Sequence, residues 1–187
     1  GMIAAFRRAG SFRGEAAAWP RLFKSLDSVY RFDYAVLRNR RAAAPARVLD
    51  EDSQWRLAYA DDRALVYLKR TGVNALLAAQ TPARRFSPNR LWPDALDAAL
   101  ARPRDAARVL AELDAWTLQA PDCVQVLIWK AYALDLLKMA DKADRLLALS
   151  RERRALAWDP ELQAAYAFVL EARGRAAQAK PLYRGAL

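Results

Sequence analysis

The chain has 187 residues, 55% of them hydrophobic and 28% charged, which excludes a globally disordered polypeptide and leaves enough apolar material for a packed core. Its net charge of +10 is uneven: residues 1–90 hold 17 Lys and Arg against 8 Asp and Glu, whereas residues 91–187 hold 14 against 13. A cationic half joined to a nearly neutral half suggests two modules, the first meeting phospholipid headgroups, nucleic acid or an acidic partner, or simply carrying a solvated basic surface.

In chain order, Gly1 before Met2 reads as a remnant of tag removal and is set aside. The stretch MIAAFRRAGSF places its charges after a short apolar patch, the reverse of a signal peptide. Next, GEAAAWPRLFKSLDSVYR spaces Trp19, Leu22, Phe23, Leu26, Val29 and Tyr30 as one face of a helix entered through a proline. FDYAVLR reads as a short buried strand at 32–38. AAAPARVLDED reads as a short helix with Val48 and Leu49 inward, and WRLAYADDRALVYLKR as a hairpin. A further short helix covers 72–80. The segment TPARRFSPNRLWP, at 81–93, has three prolines and no apolar period, so it divides a small α/β unit at 1–85 from helices at 86–187. The fold class is α+β overall.

Beyond Asp94 the pattern predicts helices at 94–101, 104–119, 122–138, 140–156, 160–173 and 175–186. The run CVQVLIWKAYALDLL is the most apolar, but Lys130 and Asp135 interrupt it and it is too short to span a bilayer. The last stretch, PELQAAYAFVLEARGRAAQAKPLYRGAL, resembles a tetratricopeptide repeat. Ala167 falls at the small site of the first helix, Gly174 in the turn, and Ala179, Tyr183 and Ala186 at the small, aromatic and small sites of the second. The unit before it puts Leu127, Ala131 and Leu134 at first-helix sites and Ala143 and Leu147 at second-helix sites, with Lys138 in place of the turn glycine. Small residues let paired helices approach, and each pair buries its face by stacking on the next.

Little in the sequence carries catalytic chemistry. Histidine is absent, which removes Ser-His-Asp and Cys-His arrangements and histidine zinc sites. Cys123 is the single cysteine and reads as a buried thiol at the start of a helix. No glycine-rich phosphate loop is present. Asp50, Glu51 and Asp52 could hold a cation, but a helix end running into a wet loop accounts for them. Asp33 sits at a strand start, and Asp94 and Asp97 at a helix start, where the dipole favours acids. No catalytic, cofactor-binding or metal-ligating residue is therefore assigned, no cofactor is expected, and the chain is read as non-enzymatic.

The adjacent acids Asp61 and Asp62 are read as a two-residue hairpin turn. That register pairs Tyr59 with Ala64, Leu57 with Val66 and Trp55 with Leu68, all apolar and all on one face. Basic and aromatic residues interleave in FRRAGSFR, YRFDY, RNRR and RRF, but the aromatics follow core periods and no RNA-binding motif is present. Nucleic acid, if it bound, would engage Arg40 and Arg41; the sequence argues against it.

Residues 14–70 resemble the soluble C-terminal region of bacterial polytopic membrane glycosyltransferases of the lipid-linked-sugar-dependent, mannosyltransferase and oligosaccharyltransferase type. The resemblance rests on Asp33, Tyr34, Val36 and Leu37 in the strand, and on Trp55, Leu57, Tyr59, Asp61 or Asp62, Ala64, Val66, Tyr67 and Lys69 in the hairpin. It implies an extracytoplasmic (periplasmic), membrane-tethered accessory domain whose basic half lies on anionic headgroups, with the catalytic membrane part elsewhere in a longer protein. The helical repeats would then bind a protein or peptide partner. The alternatives are a free-standing tetratricopeptide-like scaffold and a basic nucleic-acid-binding protein, and a cytoplasmic location stays open.

Overall fold

The computed structural model describes residues 18–39, 43–82, 84, 86–88 and 93–186. Among these are ten α-helices and one three-stranded sheet, an α+β architecture dominated by helix.

Helix α1 (Trp19–Tyr30) has a proline in its first turn, where the missing N–H has no helical partner to lose. It stops where Arg31 turns left-handed at φ 48° and donates its N–H to the Asp27 carbonyl. The Asp27 carboxylate accepts from Phe32 N at 3.0 Å and from Lys69 Nζ at 2.7 Å, which ties the helix to the sheet. Strands β1 (Tyr34–Arg38), β2 (Trp55–Ala60) and β3 (Ala64–Lys69) are antiparallel throughout, in the order β1-β3-β2. Between β1 and β2 runs α2 (Ala43–Glu51), which packs on β2 and buries Ala46 and Leu49. Val48, expected inward with Leu49, is half-buried.

Two details of the sheet differ from expectation. The strand expected to be buried is an edge strand, so Tyr34, Val36 and Arg38 are exposed while Ala35 and Leu37 face the core. The hairpin turn is Asp62-Arg63 rather than Asp61-Asp62, closed by Asp61 N donating to Ala64 O at 3.0 Å. Leu57 lies opposite Tyr67 and Ala60 opposite Leu65, with an irregularity at Ala58 between them. The extra residue in β2 breaks strict alternation. Trp55, Leu57 and Ala60 therefore share the inner face with Leu65 and Tyr67, and Val66 is only half-buried.

After β3 the expected helix at 72–80 splits into a 3₁₀ turn (Gly72–Asn74) and α3 (Ala75–Gln80). Gly72 sits at φ 69°, and a Cβ there would come within 3.0 Å of the Asp33 carboxylate. The remaining helices are α4 (Pro93–Leu100), α5 (Pro103–Gln119), α6 (Val124–Leu136), α7 (Ala140–Glu152), α8 (Arg154–Trp158), α9 (Pro160–Ala172) and α10 (Ala176–Ala186). Prolines open α5 and α9, and the Asp159 side chain caps α9 by accepting from Glu161 N and Leu162 N. The helix expected over 140–156 is two helices. Arg153 leaves helical geometry (φ −81°, ψ 130°), pairs with Asp122 at 2.8 Å, and Leu156 beyond it is buried.

Every residue of α6 from Val124 to Leu134 except Lys130 is buried. This explains CVQVLIWKAYALDLL: it is the central helix of the packing, apolar all round because neighbours surround it. Among the described residues no helix is long and apolar enough to cross a membrane. Trp129 and Tyr132 of α6 meet Phe168 of α9 at ring distances of 6.2 and 5.6 Å. Helices α6 and α7 pack on each other, α9 and α10 do the same, and α6 packs on α9. Between the pairs lies Arg173, whose side chain is 6% exposed and bridges Asp135 at 2.7 Å and Asp144 at 3.2 Å.

The two helix–helix turns share one geometry. Lys138 (φ 63°) and Gly174 (φ 73°) are left-handed, and each donates to the carbonyl three residues back, Asp135 or Glu171. The next residue, Met139 or Arg175, donates to Leu134 or Leu170 at 2.8 Å. This is the Schellman closure, which prefers glycine at the left-handed position. Lys138→Gly is accordingly expected to stabilise the fold by about 0.5–1 kcal/mol and Gly174→Ala to destabilise it by about 1 kcal/mol, because nothing but backbone strain opposes a methyl there. Urea denaturation of the two variants checks the opposite signs.

One contiguous apolar cluster runs from Ala46 in α2 to Ala179 in α10 and crosses from sheet to helices at Trp116. Trp116 is fully buried, and its Nε1 donates to Ala60 O at 2.8 Å. Gln119 Nε2 donates to Ala58 O at 2.7 Å, so α5 covers the outer edge of β2 with side-chain donors.

Candidate functional site

Asp61 and Asp62 each hold structural hydrogen bonds, in different ways. Asp61 closes its own turn: Oδ1 accepts from Arg63 N and Ala64 N, both at 2.7 Å, and Oδ2 accepts from the Tyr59 hydroxyl at 2.8 Å. Asp62 reaches away from the hairpin. Its carboxylate accepts from Val124 N at 2.6 Å and Gln125 N at 3.0 Å, the first amides of α6, and lies 3.5 Å from the Cys123 sulfur. Cys123 occupies the N-cap position but offers α6 no side-chain cap bond. The cap therefore comes from a residue distant in sequence.

Cys123 is 1% exposed, and burial, reinforced by the Asp62 charge, pushes its thiol well above the ordinary range. A buried thiol beside a carboxylate is the opposite of an activated nucleophile. Several tyrosines are also raised, two of them to about 12. The hydrogen bond to Asp61, with burial, pushes Tyr59 from about 10 up to about 12. Burial, with the hydrogen bond to Asp97 at 2.9 Å, pushes Tyr132 up to about 12. Ionisation is disfavoured in the folded state, so the stability these phenols contribute is complete below pH 10 and is lost as the pH rises toward 12. Denaturant midpoints are expected to fall across that window, and less steeply in a Tyr59→Phe, Tyr132→Phe double variant.

The other acids do not converge. Asp50 accepts from the Tyr67 and Ser87 hydroxyls, Glu51 pairs with Arg47 at 2.9 Å, and Asp52 accepts from Gln54 N. Asp33 is exposed beside Gly72, Asp94 lies in the first turn of α4, and Asp97 holds Tyr132. Among the described residues no three acids, histidines or cysteines gather as metal ligands. Arg40 and Arg41 lie outside the described residues.

Among the described residues, three concavities bear on function. A cleft of about 550 Å³ separates the hairpin tip from the α7–α8 elbow and is spanned by the Asp122–Arg153 pair. A groove of about 310 Å³ runs between α5 and the α6–α7 pair. Its floor is Leu110, Leu134, Met139 and Leu146, and its rim carries the exposed cations Lys142 and Arg145. Its one acid, Asp114, is paired with Lys130 at 2.6 Å. A pocket of about 100 Å³ lies against β2. None of the three was visible in the sequence, because each is assembled from residues far apart in the chain. No protein-family model matches the chain, and neither curated proteins nor solved structures include a match to it.

Proposed function

We propose that this chain is a non-catalytic accessory domain of a membrane glycosyltransferase-like protein, with tetratricopeptide-like helix pairs that bind a protein or peptide. The observation that carries the reading is a repetition. One constant offset takes Ala131 onto Ala167, the left-handed Lys138 onto the left-handed Gly174, and Ala143 onto Ala179. All four of these alanines are fully or almost fully buried where paired helices meet.

The groove beside the first pair, apolar below and cationic at the rim, is a surface such a module would use. The basic first half would face an anionic bilayer from the extracytoplasmic side, and the membrane-embedded catalytic part would precede it in a longer protein. Peptides selected by display against the whole chain test the groove. A Lys142→Glu, Arg145→Glu variant, altering only exposed side chains, is expected to weaken their binding about tenfold. Unchanged binding sinks the groove. Sequencing upstream in the same gene tests the rest: several apolar spans are expected, and a reading frame that begins at this chain removes the accessory role.

A further inference from the structure

The pocket against β2 contains an electrostatic imbalance that neither the fold nor the helix pairs use. Arg56, from β2, and Arg84, from the segment before α4, both line it, together with Asp50 and Ser87 and apolar walls that include Trp55 and Phe86. Arg84 lies with its guanidinium 5.1 Å over the Trp116 ring and donates one Nη to Gln119. Its other Nη is buried without a hydrogen-bond partner, and so is Arg56 Nε. Among the described residues neither guanidinium makes an ion pair, although buried cationic donors are ordinarily paired.

The carboxylates close by accept hydrogen bonds from other groups, although the Glu112 charge also acts on Arg84. Asp50 accepts from Tyr67 at 2.9 Å and Ser87 at 2.7 Å, and Glu112 accepts from Phe86 N at 2.8 Å. Burial lowers the pKa of both arginines; the neighbouring Arg70 adds like-charge repulsion at Arg56, whereas the Glu112 charge offsets part of the effect at Arg84. Two forked, partly buried cations surround one small space, with Ser87, a single carboxylate (Asp50) already held by two hydroxyls, and apolar walls that include Trp55 and Phe86. Together they leave a net positive charge that suits a tetrahedral oxyanion.

We propose that this pocket binds a phosphate group, held between the Arg56 and Arg84 guanidinium groups. The group arrives either as the free ion or as the headgroup of an anionic phospholipid, and both present the same oxygens. The inference is independent of partner binding by the helices.

Calorimetric titration of the whole chain with inorganic phosphate, in phosphate-free buffer, tests the first source. Co-sedimentation with phosphatidic acid vesicles, against phosphatidylcholine vesicles, tests the second. Saturable binding is expected in at least one arm, weakened tenfold or more by Arg56→Gln and by Arg84→Gln and unchanged by Lys180→Gln on the exposed face of α10. Arg56→Lys, which keeps the charge but not the fork, is expected to fall between wild type and Arg56→Gln.

Melting in the phosphate-free buffer guards against a merely structural role: Arg56→Gln is expected to melt no lower than wild type there and to lose the rise in melting temperature that phosphate gives. The proposal is overturned by absence of binding in both arms. It is equally overturned if the glutamine variants bind as well as wild type, or if sodium chloride at equal ionic strength reproduces the thermal shift.

Discussion

Replacing Trp116 by alanine is expected to cost about 4 kcal/mol, the largest loss from any single truncation in this chain. The indole is 1% exposed and is the largest of the fully buried side chains, so its removal leaves a cavity that the surrounding helices and sheet cannot close. It also leaves the Ala60 carbonyl without its donor and the Arg84 guanidinium without its ring. Trp116→Phe, which keeps most of the volume but not the N–H, is expected to lose about 1.5–2 kcal/mol. Guanidinium denaturation followed by far-ultraviolet circular dichroism gives both values. Because the apolar cluster is continuous across Trp116, both variants are expected to unfold in one transition with the midpoint moved. A biphasic curve, with the sheet lost before the helices, would show instead that the two parts hold together without this residue.

Asp62→Ala is expected to destabilise the fold by about 2–3 kcal/mol. A lost helix cap alone costs about 1 kcal/mol, and here the two amides of Val124 and Gln125 are left unpaired at a partly buried junction. Asp62→Asn retains an acceptor and is expected to lose about 1 kcal/mol, the part owed to a negative charge at the helix N-terminus. Asp61→Ala is the informative companion. It removes the turn contacts and the acceptor of the Tyr59 hydroxyl, all within the hairpin, so its effect belongs to the hairpin. Hydrogen exchange separates the two: Asp62→Ala is expected to speed exchange at the start of α6, and Asp61→Ala to leave that region protected. Equal exchange in α6 for both variants would contradict the cap.

The helices were legible in the sequence because their signals are local. Prolines at the first positions of α5 and α9, Asp159 before Pro160, and Gly174 between two apolar runs each act within a turn or two of themselves, and the helix limits fall within a few residues of those signals. The break at Arg153 was not legible, since its residues are good helix formers and what accompanies it is a pairing with the distant Asp122. The hairpin was legible as a hairpin, but its register was not. Alternation predicts a face only when the strand is regular. Here the turn falls one residue later, at Asp62-Arg63, and the bulge at Ala58 brings Leu57 onto the face of Ala60, so Leu57 meets Tyr67 instead of Val66.

By itself the sequence determined the kind of each element, the absence of histidine chemistry, the charge imbalance between the halves and the acids that favour a tight turn. Those depend on residue type and on spacing along one segment. Only the tertiary structure decided that Asp62 caps a helix begun by Cys123, that α6 is apolar because it is surrounded, and that Arg56 and Arg84 line one pocket, each with a buried nitrogen left without a hydrogen bond. Each of these joins residues from different elements, and burial, capping and charge pairing are fixed by which elements pack together rather than by local sequence.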